Sequence, residues 1–65
     1  MNLNLKFARI RKNLTQAELA EKVGITNKYL SMLETGNATN PSKPVMQKIA
    51  EALDIPVQDL FFNED

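Results

Sequence analysis

The chain has 65 residues and contains neither cysteine nor histidine. Without cysteine there is no disulfide and no thiolate metal site, which suits a reducing, cytoplasmic compartment. Without histidine the commonest general base and metal ligand is missing. No apolar run approaches the roughly 20 residues of a membrane span, and the N-terminus lacks the apolar core of a secretory signal. No pair of carboxylates converges on a nucleophile or base. The expectation is therefore a non-enzyme without cofactor, metal, membrane contact or small-molecule ligand. An excess of charge is lacking too, because eight basic and eight acidic side chains cancel.

What is present is ordinary in amount and uneven in placement. Hydrophobic residues make up 43% of the chain, enough for one small core near the lower size at which a chain folds unaided. Residues 1–65 read as a single domain, with 61–65 as a short C-terminal tail. Residues 1–33 carry six basic and two acidic side chains, net +4, and residues 34–65 carry two basic and six acidic, net −4. A polyanion can bind one face of a neutral protein if the positive charge is gathered there. The plainer alternative is that both ends are simply solvated.

Every periodic segment is helical. Leu3, Phe7, Ile10 and Leu14 recur at three- and four-residue spacing and predict the apolar stripe of a first helix. Asn13 is a reasonable end for it. Thr15 with Glu18 forms a capping box that opens a second helix, Gln16 to about Lys22, whose apolar side is Leu19, Ala20 and Val23. Gly24 follows directly as a left-handed C-cap. Thr26 caps a third helix, Asn27 to Thr35, ended by Gly36. After the turn-forming stretch NATNPS, Ser42 caps a fourth helix with Pro44 in its first turn and Val45, Met46, Ile49, Ala50 and Leu53 on its apolar side. Past Pro56, the residues Val57, Leu60 and Phe61 suggest a short fifth helix. No strand pattern, internal repeat or low-complexity segment appears, so the fold class is all-α.

The turn at Gly24 leaves no loop between the second and third helices, so they must cross steeply, and the methyl group of Ala20 lets their backbones approach. On a helical wheel Leu33 and Glu34 lie within about 60° of Leu30. Lys28, Met32 and Thr35 point the opposite way, with Asn27 and Ser31 on one flank and Tyr29 on the other. The helix buries one narrow edge and turns hydrogen-bonding tips, a cation and a thioether outward. Such a helix suits the major groove of B-DNA, where base edges carry a distinct donor and acceptor pattern.

These stretches, LTQAELAEKVGITNKYLSMLETG and NPSKPVMQKIAEALDIPVQDLF, resemble the lambda-repressor-like, Cro/C1-type (XRE) helix-turn-helix family over roughly residues 5–61. The specific features in combination are T-Q-x-E-L-A, the G-I-T turn, L-E-x-G, and I-A-x-A-L before D-L-F. The resemblance implies five helices, with the second and third forming the helix-turn-helix. It implies that Asn27, Lys28 and Met32, with Ser31 beside them, face base edges. Gln16 corresponds to a glutamine that contacts phosphate and braces the reading helix. Tyr29, Thr39, Asn40 and Lys43 correspond to DNA-backbone contacts, and Arg9 with Glu34 to an internal salt bridge. Gly24 and Gly36 are the structural turns. Asn37 to Asn40 depart from the basic loop of many members, Met32 replaces a polar or basic residue, and Val57 stands where a capping serine is usual.

The implied function is sequence-specific recognition of double-stranded DNA by a transcriptional regulator, a repressor, acting as a cytoplasmic homodimer. The alternative from another class is a protein-interaction module such as an antitoxin component. Individual residues have plainer readings as well. Gln16 suits any first helical turn, Asn27 and Lys28 suit a solvated face, Met32 can pack on a neighbour, and Tyr29 can cover the core edge. Phe62 is either a loose terminal aromatic or part of a subunit contact.

Overall fold

The computed structural model describes residues 3–38 and 41–61, with Leu3 described by its backbone alone. Over these residues the chain forms five helices and no strand: α1 Leu3–Arg11, α2 Gln16–Val23, α3 Asn27–Thr35, α4 Lys43–Leu53 and α5 Val57–Phe61.

Local chemistry sets the helix ends. The Thr15 hydroxyl accepts the Glu18 N–H at 3.1 Å and the Glu18 carboxylate accepts the Thr15 N–H at 2.8 Å, so the capping box is complete. Thr26 caps α3 by accepting the Tyr29 N–H, and Ser42 caps α4 by accepting that of Val45. Between α2 and α3, Gly24 has φ +87° and ψ +28°, and the Ala20 carbonyl accepts two N–H groups, from Gly24 at 2.8 Å and Ile25 at 3.0 Å. Gly36 ends α3 at the same positive φ. The left-handed end of α4 is Asp54, φ +60°, a position that no glycine marks in the sequence. A short polar side chain tolerates that conformation. Val57 supplies no cap to α5. There the Pro56 carbonyl accepts the N–H groups of Asp59 at 3.0 Å and Leu60 at 3.3 Å, and closes the first turn from the backbone.

Leu5, Leu19, Leu30, Ile49 and Leu53 are wholly enclosed and lie on α1, α2, α3 and α4, and Leu60 of α5 is buried with them. Ala8, Ala20 and Ala50 are the small residues of the same buried core. Truncating one of the enclosed leucines to alanine costs about 2–5 kcal/mol in a typical core. The Asn4 side-chain amide of α1 donates to the Asp59 carbonyl of α5 at 3.3 Å, joining the two ends of the chain.

One expectation fails in α1. The stripe Phe7 and Ile10 is not the core face; these residues are 54% and 50% exposed, and Leu5, Ala8 and Arg9 are buried instead. Leu14 lies beyond the helix and is only half-buried. Around the helix axis Leu5 lies about 160° from Phe7, so the helix carries two apolar arcs and the fold takes the smaller one. The reason is Arg9, on the same arc as Leu5, whose partner lies inside the molecule. Among the described residues no helix is long and apolar enough to cross a membrane, and no group of His, Cys, Asp or Glu side chains is placed to hold a metal ion.

Candidate nucleic-acid interface

The third helix is held along one of its edges. Its inner edge is Leu30, Leu33 and Glu34, all buried. Leu30 and Leu33 pack into the common core. Glu34 is a charged residue on that edge, and its burial requires partners.

Two other helices supply them. Arg9 of α1 donates from Nε to Glu34 Oε2 at 2.6 Å and from Nη2 to Oε1 at 3.2 Å, a two-pronged pair in which the side chains are 11% and 2% exposed. Gln16, the first residue of α2, donates from Nε2 to Glu34 Oε1 at 2.9 Å. Arg9 Nη1 donates to the Leu14 carbonyl at 2.7 Å, so the loop between α1 and α2 joins the same network. A fork of N–H donors facing a planar carboxylate sets distance and orientation together. Every buried polar side-chain atom among the described residues is satisfied. The Leu14 carbonyl is the one member that no sequence motif points to, because a backbone acceptor leaves no residue-type signature.

The outer edge of α3 is free of the core. Asn27 and Lys28 are exposed in its first turn, and Ser31 and Met32 are half-buried one turn on. Lys28, Ser31 and Met32 share an arc of about 100° centred opposite the buried edge. Thr35 lies on that arc too, but its hydroxyl is turned back on its own helix, donating within reach of the Ser31 carbonyl at 3.0 Å and that of Met32 at 3.3 Å. Tyr29 is half-buried and packs against the core cluster. Lys43 is the exposed first residue of α4. Thr39 and Asn40, expected at the DNA backbone, and Phe62, expected in the tail, lie outside the described residues.

The arrangement is thus a polar strip of Asn27, Lys28, Ser31 and Met32 on a helix whose roll is set by a carboxylate clamped from two other helices. Gln16 is clamped with it. One of its amide N–H groups is used by Glu34, which leaves the other N–H and the carbonyl oxygen of the amide for an outside partner.

The helix-turn-helix family model matches residues 5–60. The chain is 38% identical over 61 residues to the HTH-type transcriptional regulator SinR of Bacillus licheniformis, spanning 94% of this chain and 55% of that protein. It is 35% identical over 65 residues to an uncharacterised HTH-type transcriptional regulator of Methanocaldococcus jannaschii, spanning 100% of this chain and 97% of that one. A crystal structure of SinR, the master regulator for biofilm formation, in complex with DNA superposes with a TM-score of 0.85 at 37% identity, over 91% of this chain and 94% of that one. The chain spans about half the length of the SinR proteins it matches.

Proposed function

The chain belongs to the Cro/C1-type helix-turn-helix family, and on that premise we propose that it is a sequence-specific regulator of transcription that binds double-stranded DNA through α3. The observation that carries this reading is the outward strip Asn27, Lys28, Ser31 and Met32, on a fold shared at a TM-score of 0.85 with SinR solved in complex with DNA. In this reading α3 enters the major groove with its N-terminal residues at the base edges. Asn27 and Lys28 carry the donors; asparagine pairs in two-pronged fashion with adenine and lysine with guanine. Met32 contributes apolar contact, suited to a thymine methyl group. Gln16, Tyr29, Thr39, Asn40 and Lys43 hold phosphates and set register without choosing sequence.

A single helix of this length reads only a few base pairs, so the protein acts as a homodimer on two half-sites about 34–36 Å apart or multiples of that spacing. Occupying such a site blocks it to other proteins, and the regulator is a repressor.

The test is selection of bound sites from a random DNA pool, followed by a salt titration on the enriched and a scrambled sequence. An inverted repeat should emerge, and it should hold the protein at salt concentrations that release scrambled DNA, since phosphate contacts alone weaken steeply with salt. A pool that stays random, with equal salt dependence on both DNAs, refutes the reading and leaves a protein-interaction module such as an antitoxin component.

A further inference from the structure

The outward strip of α3 extends to the end of the helix, and its two ends differ in chemistry. Around the helix axis Lys28, Met32 and Thr35 fall within about 60° of one another, opposite the buried Leu30, Leu33 and Glu34. They follow one another at about one turn each, with Thr35 about 10 Å along the axis from Lys28. Asn27 and Ser31 flank this row on one side. At the N-terminal end the Asn27 amide and the Lys28 ammonium are exposed donors. The C-terminal end of the row offers none. The Met32 thioether donates nothing and accepts only weakly. Among the described residues, Tyr29 and Ala38 are half-buried against the core cluster, and Met32 is half-buried without belonging to that packing. Thr35 is exposed, but its hydroxyl donates within its own helix, 3.0 Å from the Ser31 carbonyl and 3.3 Å from that of Met32. A threonine engaged in this way brings a methyl group to the strip and no donor for a base.

We propose that Met32 with Thr35 recognises the C5 methyl group of a pyrimidine, so that the preferred site carries thymine at this point and 5-methylcytosine is bound there more tightly than cytosine. The inference rests on major-groove binding through α3 and adds the chemistry of one subsite. The C5 methyl of thymine is the apolar group that unmodified base pairs present in the major groove, and the other base edges present donors and acceptors. Over those edges Met32 would cover polar groups that it cannot satisfy. Over a C5 methyl it covers apolar surface, and one methyl group is worth about fourfold in affinity. Met32 lies about 6 Å along the helix axis from Lys28, close to two base steps of about 3.4 Å. The methyl-bearing pyrimidine therefore stands about two base pairs from the base that Lys28 contacts, toward the C-terminal end of α3. A cytosine carries no such methyl unless it is modified at C5, so affinity at this position follows the methylation state of the DNA.

The test removes one methyl group at a time. In duplexes of the site selected from the random pool, each thymine is replaced in turn by deoxyuridine, which lacks the C5 methyl and keeps the same hydrogen-bonding edge. One thymine in each half-site should cost about fourfold in affinity when replaced. Met32→Ala combined with Thr35→Ser, which keeps a hydroxyl and drops the methyl, should bind the thymine and uracil duplexes alike. Met32→Leu, which stays apolar, should keep the penalty, and Lys28→Ala should bind more weakly and keep it too. With a cytosine–guanine pair at the same position, the 5-methylcytosine duplex should bind about fourfold more tightly than the cytosine duplex in the parent chain, and equally in the double variant. These substitutions change residues outside the core, so melting temperatures should stay near that of the parent. Equal affinity for thymine and uracil at every position overturns the proposal and leaves the DNA reading standing, as does a uracil penalty that survives in the double variant. A pool from which no site is enriched overturns both.

Discussion

Replacing Glu34 by alanine should come close to unfolding the protein. The carboxylate accepts three hydrogen bonds, from Arg9 Nε at 2.6 Å, Arg9 Nη2 at 3.2 Å and Gln16 Nε2 at 2.9 Å. In Glu34→Ala the guanidinium stays in a site where its side chain is 11% exposed and keeps only the Leu14 carbonyl. Removing one partner of a buried pair costs about 3–5 kcal/mol, because a charge is left desolvated and uncompensated. A chain of 65 residues has a total stability of about 3–10 kcal/mol. The substitution therefore removes between a third and all of it, and in so small a domain the melting temperature should fall by more than about 12 °C. Arg9→Met combined with Glu34→Leu should behave differently. With both charges gone, no desolvation penalty remains, and similar apolar pairs are neutral or stabilising. The double variant should melt near the parent chain while binding DNA more weakly, since Gln16 has lost the acceptor that orients it. Circular dichroism melts of the parent, Arg9→Met, Glu34→Leu and the double variant close a thermodynamic cycle. If Glu34→Ala melts within a few degrees of the parent, the carboxylate does not hold the guanidinium and the reasoning is wrong. If the double variant is as unstable as the single, the pair contributes by net attraction.

Gly24→Val should destabilise more than Gly24→Asn, because no atom beyond its chain neighbours lies within 4 Å of an added Cβ and the cost, about 1–2 kcal/mol for an ordinary residue, comes from the positive φ that asparagine tolerates and a β-branched residue does not; equal melting temperatures for the two would show that the turn is not left-handed in solution. Lys28→Ala should relax preference at one base pair per half-site and cost about 1–3 kcal/mol of specific affinity, so an unchanged preference in competition binding removes Lys28 from the reading set. Gln16→Ala should weaken binding to all sequences alike and also cost about 1–3 kcal/mol of stability, since a hydrogen bond to the buried Glu34 carboxylate is lost; unchanged melting would mean that Glu34 is held by Arg9 alone.

Much of the outward strip of α3 is visible in the sequence. A helix with Leu30, Leu33 and Glu34 on one edge has to turn Lys28 and Met32 away, and the wheel says so without a structure. The brace is a different matter. Arg9 and Glu34 are 25 positions apart, and no periodicity connects them. Their pairing comes to the sequence only through family resemblance, and the burial that makes it consequential is a property of the packed molecule. Gln16 stands between the two cases: its place at the start of α2 is legible from Thr15 and Glu18, while its bond to Glu34 requires α2 and α3 to have crossed.

The sequence by itself determined where helices begin and end. Thr15 with Glu18, Gly24, Thr26, Gly36, Ser42 and Pro44 act on backbone groups within about four residues of themselves, so their effect is the same in any fold. Asp54 and Pro56 act over the same range, though the left-handed Asp54 carries a weaker signal than a glycine would. Which side of α1 faces inward was decided only by the tertiary structure. Leu3, Phe7 and Ile10 form the longer apolar stripe, and Leu5 with Ala8 forms the shorter, and local propensity is indifferent between them. The difference lies in what each face meets. Burying the Phe7 side would turn Arg9 outward and leave the Glu34 carboxylate on the inner edge of α3 without its two-pronged donor. Burying the Leu5 side satisfies that carboxylate and leaves two large apolar residues in water, and the unpaired buried charge is the costlier of the two.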